Sequence, residues 1–256
     1  MISKNLTKYI HSLELKKNRQ AERVFVAEGP KVVGDLLACG NVPRRIIATQ
    51  EWYDETTYAT GADDITVTAD ELKKVSFLQH PQKVMALFPF TDNNDAPSYL
   101  PGQLYLALDG VQDPGNLGTI IRIADWFGIT TIFCSHDTAD VYNPKVVQAT
   151  MGSIARIKVV YTDICRLISN APEDTPIYGT FLDGDNIYGQ QLSPGGIIIM
   201  GNEGKGISDR VAAKVNRRLL IPSYPAGRQT AESLNVAIAT AITCAEFQRQ
   251  AALKRH

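Results

Sequence analysis

Short apolar runs along the chain alternate with longer stretches in which apolar residues recur every three or four positions, the pattern of strands interleaved with helices. In the first part, Val24 to Ala27, Ile46 to Ala48, Ile65 to Thr68 and Val84 to Phe88 predict strands separated by helical stretches. One such helix, Lys31 to Cys39, follows Gly29-Pro30, and proline suits a helix start because the amide it lacks would have no partner there. Alternation of this kind predicts a small α/β layer structure. From Thr91 to Gly102 the turn formers Asp, Asn, Pro, Ser and Gly interrupt every periodicity. A boundary is expected there, giving a domain over 1–90, a linker over 91–102 and a second domain over 103–256.

The second part repeats strand then helix more strictly. Strands are expected at Leu104 to Leu108, Thr131 to Cys134, Ile157 to Val160, Ile177 to Thr180, Ile197 to Met200 and Leu219 to Ile221. Helices are expected from Asn116, near Pro144 and at the end of the chain. Short, wholly apolar strands such as Ile197-Ile-Ile-Met200 predict a parallel sheet covered on both faces. In the last helix Leu234, Ile238 and Ile242 share a face, and Ala237, Ala239, Ala241 and Ala245 permit close approach of a neighbour, so packing is its expected role.

With 256 residues, 44% of them hydrophobic, the chain is long enough for one large domain or two ordinary ones with a real core. The four cysteines, Cys39, Cys134, Cys165 and Cys244, form no CxxC pair, so neither a zinc site nor a disulfide framework is indicated and a reducing cytoplasm fits. No apolar run approaches the ~18 residues of a membrane span, and Met1-Ile-Ser-Lys-Asn-Leu lacks the apolar core of an export signal. A soluble, unexported protein is expected. The net charge of −1 is a weak footprint for nucleic-acid binding, but its distribution is uneven. Residues 1–50 hold nine Lys or Arg against four Asp or Glu, whereas residues 51–100 hold three against nine. Lys4, Lys8, Lys16, Lys17, Arg19 and Arg23 thus form a basic segment, either a solvated helix face or a surface that meets phosphate.

Three segments of the second part carry candidate chemistry. In Asp109-Gly-Val-Gln-Asp-Pro-Gly-Asn-Leu-Gly-Thr-Ile-Ile-Arg122, Pro114 and Gly115 enforce a turn and Asn116 is expected to cap the helix with its side-chain oxygen. Arg122 then falls in an otherwise apolar helix and needs a partner, either Asp113 or Glu203 in an ion pair, or a ligand. In Ile197-Ile-Ile-Met-Gly-Asn-Glu-Gly-Lys-Gly206 the order GxxGxG fits neither the P-loop nor the GxGxxG dinucleotide fingerprint, which excludes two common nucleotide sites. Its glycines permit either a tight turn in which Glu203 caps the next helix or close approach of a ligand. The third segment, Ile221-Pro222 followed by Ser233-Leu234-Asn235, taken alone offers ordinary helix-capping residues. The intervening residues 223–232 form a long loop that either extends the rim of a ligand site, with Arg228 then in reach of a phosphate-bearing substrate, or is only a surface insertion.

In their order and spacing these segments resemble the three motifs of the SpoU (TrmH-like) RNA 2′-O-methyltransferases, a branch of the SPOUT class, over roughly residues 104 to 248. Lys16-Lys17-Asn-Arg19 leading into Val24-Phe-Val-Ala-Glu-Gly-Pro30 resembles the N-terminal, L30e-like substrate-binding domain that many SpoU enzymes carry. The resemblance implies an α/β fold with a trefoil-knotted parallel-sheet domain, S-adenosylmethionine as cofactor, RNA as substrate and a homodimer, with no metal. Ribosomal RNA is favoured by the appended domain; transfer RNA, or a noncatalytic RNA-binding or ribosome-assembly role, is the alternative.

By the same resemblance, Asn116 and Arg122 lie beside the ribose, Glu203 organises the active site, and Ser233 and Asn235 face the catalytic region. Thr180, Met200, Gly201, Gly204, Ile221 and Leu234 are implied to hold the cofactor, and Lys16, Lys17, Arg19 and Arg23 to meet RNA. In such a reaction a ribose hydroxyl attacks a methyl group on a sulfonium, so the protein mainly orients the reactants and eases proton loss. Arginine, with a pKa above ~12, is no ordinary base, but its fork of donors binds phosphate and stabilises charge developing on oxygen.

Overall fold

The computed structural model describes residues 2–59, 61–91, 102–225 and 231–253, so most of the expected linker, and Arg228, lie outside the described residues. In chain order the first elements are α1 (Lys4–Ser12), α2 (Lys16–Glu22), β1 (Val24–Glu28), α3 (Pro30–Ala38), β2 (Arg45–Ala48), α4 (Gln50–Glu55), β3 (Ile65–Thr66), α5 (Ala69–Val75) and β4 (Val84–Pro89). There follow β5 (Leu104–Asp109), α6 (Pro114–Trp126), β6 (Thr131–Cys134), α7 (Pro144–Ala149), β7 (Lys158–Tyr161), α8 (Ile164–Ser169), β8 (Ile177–Asn186), β9 (Gly196–Gly201), α9 (Asp209–Ala212), β10 (Arg217–Leu220) and α10 (Val236–Leu253). The chain divides into two compact units, Met1–Asp92 with Asp140–Arg156, and Asn93–Ala139 with Ile157–His256.

In the first unit, the strands form a sheet of order β1-β4-β2-β3, antiparallel except between β2 and β3. Their runs are apolar on both faces, and both faces are covered: Phe25, Ala27, Ile46 and Phe88 lie in one core cluster, Val24, Val26, Ile47 and Leu87 in another. The first cluster also takes Val147 of α7, together with Tyr142 and Ile154. Tyr142 stacks between Phe25 and Phe90, at ring separations of 4.8 and 4.0 Å. Residues Asp140–Arg156 are therefore built into this unit although they follow β6 in sequence.

Arg19, expected from its basic neighbours to meet phosphate, is instead 1% exposed. Its Nη1 donates to the carbonyls of Leu13 and Glu14 at 2.7 and 2.6 Å, and its Nη2 donates to Asp140 at 2.6 Å. The physical reason is that the last carbonyls of a helix lack partners within it, and a cation at that end satisfies them and complements the helix dipole. Leu13 is the C-cap of α1, so Arg19 closes that helix and fixes Asp140 beside it. Lys16, Lys17 and Arg23 are exposed.

In the second unit, all strand pairs are parallel, in the order β10-β8-β9-β5-β6-β7. Central β9 is buried throughout, as its apolar sequence requires. α10 packs against α6, but not through the face expected. Leu234 lies before the helix, and it and Ile238 are about half exposed, while the buried side carries Val236, Ala237, Thr240, Thr243, Cys244 and Phe247. Small residues allow the close approach, and the two threonine hydroxyls donate to the carbonyls of Val236 and Ala239, so burying them leaves no orphaned donor. Among the described residues no helix is long and apolar enough to cross a membrane.

Candidate active site

The three segments meet at the carboxyl ends of β5, β9 and β10, where an open parallel sheet presents its ligand sites. The chain leaves β5 through Gly110 and enters α6 at Pro114. Asp113, rather than Asn116, is the N-cap, and its carboxylate accepts the Asn116 amide at 2.8 Å. Proline's preference for the first helical position sets this register and leaves the Asn116 side chain free. Its Nδ2 donates to Glu203 at 3.0 Å, and its Oδ1 accepts from Asn235 Nδ2 at 2.9 Å. A carboxylate only accepts, so the Asn116 NH2 must face Glu203 and its carbonyl must face Asn235. Asn235 in turn caps α10, its Oδ1 accepting from Ala237 and Ile238 at 2.9 and 3.3 Å.

Glu203 does not cap the helix that follows it, since Ser208 occupies the N-cap of α9. Its carboxylate reaches back to the first segment and accepts the backbone amides of Gln112 and Asp113 at 3.3 and 3.2 Å, besides Asn116. Burial alone would push this carboxyl up, but the hydrogen bond from Asn116, its own backbone amide and those of Asp113 and Gln112 outweigh it and hold the group below its ordinary value. Glu203 is therefore ionised at neutral pH. One chain of hydrogen bonds, Asn235 to Asn116 to Glu203, ties the three segments together.

Asn202, which the sequence reading passes over, shapes the loop after β9. Its Oδ1 accepts the amides of Gly204 and Lys205, both at 3.0 Å, and its Nδ2 donates to the Gly110 carbonyl at 2.6 Å. An asparagine at the head of a glycine-flanked turn is the signal that reveals such a role. Across the loop, Asn202 and Gly206 exchange two backbone hydrogen bonds at 2.9 Å. This draws the chain so close that a methyl group on Gly201 would lie 2.2 Å from backbone atoms of Gly206 and Ile207, so only glycine fits there.

Beside this loop is a cavity of about 440 Å³. All six residues singled out for the cofactor, Thr180, Met200, Gly201, Gly204, Ile221 and Leu234, line it. Glu203 and Ser233 line it too, as do Phe181, Leu182 and Lys205, which carried no signal in sequence. The Thr180 hydroxyl points at the Met200 sulfur, 3.8 Å away. Arg122 is not gathered with these groups. It is exposed on α6 and, among the described residues, makes no ion pair or hydrogen bond; Asp113 and Glu203, the expected acceptors, are engaged elsewhere. Among the described residues no cluster of His, Cys, Asp and Glu has the arrangement to hold a metal ion.

Residues 103–245 match the SpoU rRNA Methylase family, and residues 4–86 match the MRM3-like substrate binding domain. The 23S rRNA (guanosine(2553)-2′-O)-methyltransferase RlmP of Bacillus subtilis is 31% identical over 233 residues, which cover 90% of each chain. Among solved structures, a TrmH-family protein from Porphyromonas gingivalis is similar at 39% identity with a TM-score of 0.86, covering 98% of this chain and 99% of that one. An AdoMet-bound rRNA methyltransferase from Sinorhizobium meliloti is similar at 31% identity with a TM-score of 0.83, covering 97% and 96%.

Proposed function

The chain belongs to the SpoU rRNA methylase family, and on that premise we propose that it transfers the methyl group of S-adenosylmethionine to a ribose 2′-hydroxyl of ribosomal RNA. The observation that carries the reading is the hydrogen-bonded chain Asn235–Asn116–Glu203 beside a cavity lined by all six candidate cofactor residues. The cavity fits the group. At about 440 Å³ it falls in the usual ~300–1,000 Å³ range of small-molecule sites. Ile221, Leu234 and Val236 offer an apolar wall, and the loop of Gly201 to Gly206 offers close backbone approach opposite polar groups.

When bound, S-adenosylmethionine supplies a methyl group activated by its sulfonium. The protein's own task is then to hold the ribose hydroxyl in line and stabilise the charge that develops on its oxygen. Glu203, ionised and accepting three N–H groups, locks Asn116, and Asn116 locks Asn235. These polar groups are therefore oriented before substrate arrives. Ser233, exposed at the cavity rim, adds a hydroxyl of free rotation. Arg122 presents an uncommitted guanidinium for phosphate and for the developing oxyanion.

The first unit delivers the RNA in this reading, with Lys16, Lys17 and Arg23 as phosphate contacts, and residues 103–256 apart from the Asp140–Arg156 segment do the transfer. The exposed apolar groups Trp126 of α6 and Ile238 of α10, two helices that pack together, support a homodimer formed through this pair of helices. The trefoil knot implied by the resemblance, and work in the cytoplasm, go with the same proposal. Ribosomal RNA is preferred to transfer RNA because RlmP, similar over nine-tenths of the chain, is named for 23S rRNA. Retention of Asn116, Arg122, Glu203, Ser233 and Asn235 argues for catalysis over a purely binding role.

Calorimetric titration with S-adenosylhomocysteine, repeated in the presence of NAD or ATP, tests the cofactor assignment. Binding that neither nucleotide displaces is expected. Displacement by either, or no binding at all, would overturn it.

A further inference from the structure

β8 and β10 do not pair in simple register. Arg217 and Arg218 lie opposite Tyr178 and Gly179, but the next residue, Leu219, lies opposite Asp185. Five residues of β8, Thr180 to Gly184, therefore stand out of the ladder, and the first three of them line the cavity. Such an excursion has few backbone partners of its own, so something else must fix its shape.

The side chains supply that fixing. A methyl group on Gly179 would lie 2.6 Å from the Phe181 ring, so the ring folds back into the space a side chain at 179 would fill. Arg218, the register partner of Gly179, lays its guanidinium over that ring, 3.5 Å from the centroid. Its Nη2 also donates to Asp183 at 2.6 Å, further along the same excursion. At the far foot, a methyl group on Gly184 would lie 2.6 Å from the Leu219 carbonyl carbon, so β8 returns to the ladder through backbone contact that only glycine allows. Leu182, largely exposed at the cavity rim, is carried by this arrangement.

We propose that Arg218, which is not among the residues lining the cavity, is a positioning residue for S-adenosylmethionine: by stacking on Phe181 it holds Thr180, Phe181 and Leu182 as one wall of the cofactor site. The inference rests on the cofactor reading above. The stack, rather than the ion pair, carries the effect. Asp183 is 76% exposed and its pair with Arg218 is screened by solvent, whereas a guanidinium over an aromatic face is held by geometry as well as charge.

The test is calorimetric affinity for S-adenosylhomocysteine, together with the rate of methyl transfer at saturating S-adenosylmethionine, in the full chain. Arg218→Ala is expected to weaken affinity by about fivefold, the upper end of the scale of one cation–aromatic contact at an exposed site, while the saturated rate stays at the wild-type value. Arg218→Lys should recover part of the loss, and Asp183→Asn should stay within about twofold of wild type. Phe181→Leu, which keeps an apolar filler over Gly179, should match Arg218→Ala, and the double variant should be no worse than either single one. Unchanged affinity in Arg218→Ala and Phe181→Leu, additive losses in the pair, or a lower saturated rate at unchanged affinity would each overturn the proposal. Should wild type itself fail to bind S-adenosylhomocysteine, the cofactor reading falls and this inference falls with it; binding by wild type and both variants alike removes this inference alone.

Discussion

Replacing Asp140 with alanine should destabilise the first unit far more than removing an ordinary surface charge. Arg19 is 1% exposed, and its guanidinium reaches two carbonyls and one carboxylate, with Nε buried and unpartnered. Taking away the carboxylate leaves a buried positive charge compensated only by the Leu13 and Glu14 carbonyls. Breaking a buried pair by removing one partner costs about 3–5 kcal/mol, whereas an exposed pair contributes about 0–1 kcal/mol. Arg19→Met removes the charge itself but orphans the buried Leu13 carbonyl, at about 1–3 kcal/mol. The double variant should therefore cost less than the sum of the single ones by more than about 1 kcal/mol, because the two groups share one network. The chain holds two tryptophans. Trp52 is buried in the core of the first unit and Trp126 is 84% exposed. Urea unfolding followed by Trp52 emission in a Trp126→Phe background thus reports the first unit. As controls, Lys16→Ala and Lys17→Ala should move stability by less than about 0.5 kcal/mol. A cost below about 1 kcal/mol for Asp140→Ala, or strict additivity with Arg19→Met, would refute the buried role of Arg19.

Four further outcomes are expected. Arg122→Ala should abolish methyl transfer and leave S-adenosylhomocysteine affinity and stability at wild-type values; parallel loss of binding would mark the arginine as structural. Glu203→Gln keeps the shape but offers one acceptor oxygen to three N–H donors, so transfer should fall on the order of tenfold for the one or more donors left unpaired. Because the Glu203 carboxyl lies below its ordinary value of 4.5, its contribution to site order should be complete above that pH and lost only as pH falls through its lower folded value, as the chemical shifts of Asn116 and Asn235 side-chain amides would reveal. Buried Glu28 behaves oppositely: desolvation raises its carboxyl despite hydrogen bonds from Ser76 and the Phe77 amide, so between the ordinary and the raised value the folded state holds a proton that the unfolded state has released. Its contribution to stability is full below the ordinary value of 4.5 and declines as pH rises through the raised one, and Glu28→Gln should flatten that segment of the stability–pH curve in urea titrations.

Much of this architecture is legible in local pattern. Runs such as Ile197 to Met200 and Thr131 to Cys134 are too apolar for anything but buried strands, and they form them within a residue of the expected ends. The cap of α6 was also within reach, because Pro114 at the first helical position makes the residue before it the cap. What local pattern does not carry is partnership at long range. Arg19 lies in a basic run, and nothing nearby reveals that Asp140, more than a hundred residues away, will neutralise it. Likewise Tyr142 and Val147 follow a strand of the second unit yet complete the core of the first, because Phe25 and Phe88 leave an apolar face open for them. The excursion of β8 was hidden for a related reason. Phe181-Leu-Asp-Gly-Asp-Asn186 reads as a strand running into a turn, and only pairing with Leu219 and Leu220 restores the strand beyond it. For α10 the spacing predicted an apolar face of Leu234, Ile238 and Ile242, yet Leu234 lies before the helix and Ile238 is half exposed, because periodicity finds a stripe without finding what covers it.

The most direct measurement is transfer of labelled methyl from S-adenosylmethionine to unmodified ribosomal RNA, followed by nucleoside analysis of the product. The account predicts label as 2′-O-methyl nucleoside in ribosomal RNA, absent with Arg122→Ala. Label on a base, label in transfer RNA alone, or no label in ribosomal RNA or ribosomal particles by a protein that binds S-adenosylhomocysteine would contradict it.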